Sequence, residues 1–401
     1  MTDQYQWQGA LAAAERAIRD GQLEVAASSF RVALTQISTY ERADPARLST
    51  IELFLRCCER AIVLAEDNFR SQWNIHTAHS PDDRALLQEH AKIRQRLYNH
   101  RLSAYRLFLH SQISQLGEDD AAVVATLLTM ARLEWNRNEL RSFPLLHQAL
   151  AIRERTLGAD HPDTLAIVRR LASDYDTLVD YKGAIPLWQR VLAYIERVEP
   201  WPIHGSRHGA SGVLFSLGKA YNYLRFPMEA KNTWGRYLAL TEHAVQQAVE
   251  SSDIFEPHQI DAYYGVGYAC LALQEWHAAA RSLAQAVDKH RITPFHDVIE
   301  GNGASLIDLA TGIAAYAEAI ARIGDHGGAL QLCEEAIVLY QRKDRRYIDL
   351  LGTYATTLRA LGNDRKAAAI EHEASTLRES IEAKMRRHRF RSRRAPDSVN
   401  S

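Results

Sequence analysis

Cysteine and methionine are scarce in this 401-residue chain, four of each. Cys57 and Cys58 are adjacent, while Cys270 and Cys333 stand far apart, so no C-x-x-C spacing exists for zinc or redox chemistry. The four are read as reduced core thiols. A dominant charge is missing as well. Lys plus Arg number 48 and Asp plus Glu 49, for a net charge of −1, and no whole-molecule field draws the chain to nucleic acid or anionic membrane. No window approaches eighteen uninterrupted apolar residues, and the opening MTDQYQWQGA has acid and amides where a secretory leader carries basic residues. Neither a membrane span nor a signal peptide is therefore expected, and the chain is assigned to the cytoplasm.

Catalytic signatures are also lacking. There is no G-x-x-x-x-G-K-[ST], no strand–helix alternation for a dinucleotide fold, no H-E-x-x-H and no G-x-S-x-G. The Gly-rich runs Gly205 to Gly212 and Gly301-Asn302-Gly303 lie between expected helices and read as connections. Seventeen histidines yield only the isolated pairs His76/His79 and His204/His208, with His161 in a DHPD turn, short of the three or four converging ligands a metal needs. Acid pairs such as Glu334/Glu335 and Asp119/Asp120 read as solvated faces and helix starts. No metal, cofactor or catalytic residue is expected.

What is present is a repeat. Apolar residues make up 46% of the chain, enough to build a core. They fall in a recurring order: Val168, Leu171, Ala172, Tyr175, then Tyr181, Ala184, Trp188, Val191. The order returns at Leu214, Leu217, Gly218, Tyr221, Ala230, Trp234 and Tyr237, and again at Tyr263, Val266, Gly267, Cys270, Trp276, Ala279 and Leu283. Two further copies are anchored on Ala329 and Ala367. The anchoring alanines Ala184, Ala230, Ala279, Ala329 and Ala367 are spaced by 46, 49, 50 and 38 residues, so the unit holds while its connections stretch. Two antiparallel helices approach closely only where one presents Gly or Ala, and larger residues a turn away fill the flanking holes. Trp188, Trp234 and Trp276 occupy repeated slots of this kind and are read as packing.

The pattern from about Asp120 to Ser380 resembles the tetratricopeptide-repeat family, and ALAIRER followed by LGADHPDT resembles the longer-loop repeats of kinesin light chains. Gly158 suits a helix end there and Pro162 a helix start. The resemblance implies an all-α fold, a right-handed α-solenoid of seven or eight stacked antiparallel helix pairs. Residues 1–43 fit one such pair, residues 44–118 an atypical long pair, residues 119–383 an array of about six pairs, and residues 384–401 a basic, unstructured tail. No long heptad region of the kind that joins kinesin light chains to a motor is seen.

In such an array the first helix of each pair lines the concave wall, where the family binds peptides. Side chains offset from the core slots are Arg169, Ser173, Asp176, Phe215, Lys219, Asn222, Asp261, Tyr264, Tyr268, Glu318, Arg322, Thr356 and Arg359. They form the candidate partner-binding groove, with Phe215, Tyr264 and Tyr268 as anchors for an amphipathic helix or extended peptide. The tail carries Lys384, Arg386, Arg387, Arg389, Arg391, Arg393 and Arg394, seven positive charges in eleven residues, a local field for an anionic partner. The function expected is a non-catalytic adaptor or regulator. Two alternatives stay open: a nucleic-acid- or membrane-associated regulator acting through the tail, and an enzyme or enzyme accessory subunit holding a small substrate in the groove.

Overall fold

The computed structural model describes residues 6–39, 45–72, 81–135, 139–198, 209–247, 256–292, 309–340 and 345–392. Among them are sixteen α-helices, one short 3-10 turn and no strand. The helices are α1 (Gln6–Arg19), α2 (Leu23–Ser38), α3 (Pro45–Gln72), α4 (Pro81–Leu116), α5 (Ala121–Trp135), α6 (Ser142–Leu157), α7 (Pro162–Thr177) and α8 (Tyr181–Val198). They continue as α9 (Ala210–Tyr223), α10 (Pro227–Gln247), α11 (Glu256–Ala272), α12 (Trp276–Ile292), α13 (Leu309–Ile323), α14 (His326–Leu339), α15 (Arg345–Ala360) and α16 (Asp364–Ser392). The chain forms two compact units, Met1–Leu171 and Ala172–Ser401. No helix of the described residues is long and apolar enough to cross a membrane.

In the first unit, α1 and α2 pack small residues (Ala14, Ala17, Ala26, Ala33) among Leu11, Phe30 and Ile37. That core continues into α3 and α4 through Ile51, Phe54, Ala61, Leu97 and Ala104, with the Phe30 and Phe54 rings edge to face at 5.5 Å. The long helices α3 and α4 are further tied by polar rungs. Arg101 pairs with Glu59, and the Tyr98 hydroxyl donates to Glu66 at 3.0 Å. Between α4 and α5 the buried Thr126 hydroxyl donates to Gln112 Oε1 at 2.7 Å. Burial, then the bond to Glu15, pushes the Cys57 thiol up to about 12, so this thiol is a poor nucleophile at neutral pH. All four cysteines are buried.

Six helix-to-helix turns share one device. One of the two residues after the first helix is left-handed, at Gly21, Val179, Arg225, Gln274, Gly324 and Gly362 (φ 60° to 102°). The next N–H reaches back five residues: Gln22 to Ala17, Asp180 to Tyr175, Phe226 to Tyr221, Glu275 to Cys270, Asp325 to Ile320 and Asn363 to Leu358, at 2.7–3.0 Å. This satisfies carbonyls the helix end would otherwise leave bare. A non-glycine in this region costs about 1–2 kcal/mol, and Val179, β-branched, is the most strained of the three that accept it.

In the second unit the close approaches occur where the sequence places glycine. The Trp234 indole of α10 is wedged between α9 and α11. A Cβ on Gly218 would stand 2.5 Å from its Cε2, and one on Gly265 would fall inside the same ring's van der Waals envelope. A Cβ on Gly267 would stand 2.5 Å from Cγ of Leu283 in α12, and Gly312 of α13 lies against the Tyr264 ring. Trp188 and Trp234 are buried, as slot-filling residues should be. Trp276 is half-buried, with the Arg322 guanidinium 5.4 Å from its ring centroid. Within this unit α9 touches α11, α11 touches α13 and α13 touches α15, so first helices stack on first helices.

Candidate functional site

A cavity of about 580 Å³ opens in the second unit, lined by four successive first helices. Its walls are Lys219, Tyr221, Asn222 and Tyr223 from α9, Asp261, Gly265, Tyr268 and Ala272 from α11, Thr311, Ala314, Ala315 and Glu318 from α13, and Arg346, Asp349, Leu350 and Thr353 from α15. Steps of three and four along each helix present one stripe of every helix to the hollow. Tyr181, Tyr340, Trp234 and the Arg225–Pro227 turn close it. The stripe moves along the helices: it occupies the last turn of α9 but the first half of α13 and α15. The hollow therefore crosses the helices obliquely.

The lining is aromatic with fixed polar points. Lys219 Nζ lies 3.1 Å from Asp176 and over the Tyr181 ring, 5.6 Å from its centroid. Burial outweighs the Lys219 ammonium and lifts the Asp176 carboxyl above its ordinary value. Gln189 donates to the Tyr221 hydroxyl at 2.8 Å. The Tyr268 hydroxyl donates to the Thr311 carbonyl at 3.3 Å, and the Thr311 and Tyr340 hydroxyls are 3.0 Å apart. Glu318 is half-buried, and burial, reinforced by Asp349, raises its carboxyl although Arg322 pulls the other way. At the mouth the Tyr181 and Tyr223 rings meet at 4.8 Å. Tyr223 and Phe226, 62% and 46% exposed, make an apolar lip. Such a hollow binds by ring faces, hydrogen bonds and charge, and its size suits a short peptide segment or a small ligand.

Five of the thirteen expected groove residues line it: Lys219, Asn222, Asp261, Tyr268 and Glu318. Two of the three expected anchors do not. Tyr264 is 0% exposed, packed under Gly312 with its hydroxyl 3.1 Å from His290 Nδ1, so it is core. Phe215 packs edge-on against Trp234 at 5.6 Å and beside Tyr237 at 5.9 Å, covering a neighbouring helix. Asp176 holds Lys219. Arg322 lies over Trp276. Arg359 is paired with Glu371 and Asp364, and the Thr356 hydroxyl is spent on its own helix at Gly352. On α7, Ser173 is exposed and Arg169 half-buried.

Sequence reasoning missed Tyr181, Tyr223, Phe226, Tyr340, Arg346 and Asp349. Continuing the stripe backward from Thr356 in helical steps would have reached Thr353, Asp349 and Arg346. The backbone of α16 is helical to Ser392, so part of the segment expected as an unstructured tail extends the last helix. Arg393 and Arg394 lie outside the described residues, as do the side chains of Lys384, Arg386, Arg387, Arg389 and Arg391. His76, His79, His204, His208 and Gly301 to Gly303 also lie outside them. Among the described residues no three His, Cys, Asp or Glu converge as metal ligands.

Stacked helix pairs hollowed along their first helices define a helical-repeat interaction scaffold. A sequence profile of the tetratricopeptide repeat matches residues 123–163, spanning α5, α6 and the turn into α7. The match covers one helix pair of the chain. No curated protein matches the chain. Among solved structures, a kinesin light chain with nearly identical TPR-like repeats from Podosopora anserina is 17% identical, covering 56% of this chain and 98% of its own at a TM-score of 0.40. BtubC (BKLC) from P. vanneervenii is 15% identical over 76% of this chain and 98% of its own, TM-score 0.39. Aspartyl phosphate phosphatase F from Bacillus subtilis is 14% identical over 94% of each chain, TM-score 0.37.

Proposed function

We propose that the chain is a non-catalytic adaptor or regulator that binds a partner protein through a peptide segment seated in the hollow of the second unit. The observation that carries this reading is the continuity of one stripe across α9, α11, α13 and α15, which leaves four helices' worth of aromatic and polar side chains facing a shared space. Tyr223 and Tyr268 replace Phe215 and Tyr264 as anchors, because only the former pair reach the hollow.

The test is affinity capture with the full chain beside its Tyr223→Ala/Tyr268→Ala variant, followed by calorimetry with the purified captured partner. Loss of binding by at least about tenfold with unchanged helical circular dichroism supports the reading, as expected when aromatic anchors are truncated. Equal affinity of the two proteins rejects it. Co-purification of a small molecule displaced by neither tyrosine change would favour the substrate-holding alternative.

A further inference from the structure

The last helix of the second unit outruns its partner. α16 has 29 residues and α15 has 16. Among the described residues α15 is the element that α16 packs against. The contact is a stripe in steps of three and four, Ala367, Ile370, Ala374, Leu377 and Ile381. At about 1.5 Å per residue, the surplus of 13 residues, by subtraction, carries the helical backbone about 20 Å past the start of α15.

The composition of α16 changes where that contact stops. From Asp364 to Ala383 there are five acids and three Lys or Arg. From Lys384 to Arg394 there are seven Lys or Arg and no acid, and six of the seven are arginine. The rest of the chain, by subtraction of these seven from a net charge of −1, carries −8.

The helical backbone runs on to Ser392 and fixes the register of these positions. At about 100° per residue, the contact stripe stays within about 80° of arc, and Met385, His388 and Ser392 continue it. Lys384, Arg386, Arg387, Arg389 and Arg391 take the remaining positions, spread over about 220°. Cations favour a helix C-terminus only within its last turn, which accounts for Arg389 and Arg391 but leaves Lys384, Arg386 and Arg387 unexplained. Spacings of three and four also set Lys384 beside Arg387, Arg386 beside Arg389 and Arg387 beside Arg391, like-charge pairs that weaken the free helix. A polyanion removes that repulsion and releases its own counterions.

The spread of the basic positions decides which polyanion. A flat bilayer meets one side of a helix, and an interfacial helix needs a broad apolar face. This one has only Met385 on the stripe and Phe390 among the arginines. The major groove of B-form DNA, about 12 Å wide, admits a helix about 10–12 Å across and flanks it with phosphates on both walls. The A-form RNA major groove is too deep and narrow for that. Arginine suits the phosphates, because its planar fork matches their oxygens.

We propose that the last turns of α16, from Lys384 onward, form a sequence-independent DNA-binding helix. It lies in the major groove, held by the phosphates of both walls, while the net-negative remainder of the chain stays off the duplex. This site is separate from the hollow and does not depend on what the hollow binds.

The experiment titrates the full chain into a fluorescein-labelled, mixed-sequence DNA duplex at a series of salt concentrations and reads fluorescence anisotropy. Five to seven neutralised phosphates give an expected slope of log K against log salt of about −4 to −6. Arg386→Gln/Arg387→Gln/Arg389→Gln/Arg391→Gln removes four charges with a good helix former. It should bind at least about tenfold more weakly and flatten the slope by about 3 to 4, with unchanged circular dichroism. Arg386→Lys/Arg387→Lys/Arg389→Lys/Arg391→Lys keeps the charge and should keep the slope. A wild-type slope shallower than about −2, or binding undiminished by the four glutamines, overturns the proposal. So does binding as tight, at matched phosphate concentration, to an RNA duplex of the same sequence or to phosphatidylserine vesicles, because the groove would then not be what is recognised.

Discussion

Replacing Gly218 with alanine sets two effects of opposite sign against each other. In a helix interior, Ala is favoured over Gly by about 1 kcal/mol. Against this, the new methyl would stand 2.5 Å from Cε2 and 2.8 Å from Nε1 of Trp234, where ordinary contact begins at 3.4 Å. The indole has nowhere to retreat, because Gly265 of α11 presses on it as well. Overpacking of this kind costs typically 1–3 kcal/mol, and a site closed on both sides belongs at the upper end. The net expectation is a loss of about 1–2 kcal/mol, or a Tm lowered by about 2–8 °C for a unit of this size. Gly352 of α15 is the control: a Cβ there meets nothing within 4 Å, so Gly352→Ala should raise Tm by about 1–4 °C. Thermal melts followed by helical circular dichroism compare the two. Trp234→Phe, which sacrifices no hydrogen bond because the indole Nε1 has no partner, should recover part of the Gly218→Ala loss, with a coupling of about 0.5–3 kcal/mol in the double-mutant cycle. If Gly218→Ala stabilises as much as Gly352→Ala, the wedge between α9 and α11 is not there.

Two other outcomes follow from the same geometry. Val179→Gly relieves a β-branched residue at φ 60° and, after the added chain entropy of glycine, should stabilise the second unit by about 0.5–1 kcal/mol in urea titration; a destabilised variant would contradict the strained turn. Glu318 has its carboxyl raised by burial, which outweighs the opposing Arg322 charge, with a smaller contribution from Asp349, so the folded state holds its proton more tightly than the unfolded chain does. Its contribution is thus most favourable below the ordinary carboxylate range and is lost as pH rises through the raised value. Glu318→Gln should accordingly raise Tm at pH 7 and lose that advantage as the pH falls through the carboxylate range, and a pH-independent difference would refute the burial argument.

Much of the architecture was legible because helix pairing is a local matter. Small residues such as Gly218, Ala230 and Ala279 recur at fixed offsets from Trp234 and Leu283, and close helix contact has few other solutions. Tyr181 and Trp276 mark helix starts for the same reason. The turns were legible only where they carry glycine. Gly324 and Gly362 advertise a left-handed residue, while Val179, Arg225 and Gln274 take the same conformation under tertiary constraint with no local signal.

The order of residues along the chain determined that this is an all-helical array of paired helices. Which residues of its first helices meet was decided by the stack itself. The hollow slants across the helices, taking the last turn of α9 and the first half of α13 and α15, so a fixed register carried from repeat to repeat drifts off the cavity and reaches Thr356 and Arg359 instead of Asp349 and Arg346. Burial separated Tyr264 from Tyr268 in the same way: four residues apart on α11, both read as groove, yet the approach of Gly312 on the next first helix seals one and leaves the other facing the hollow. That approach is a distance between helices more than forty residues apart in sequence, and no pattern within either helix encodes it.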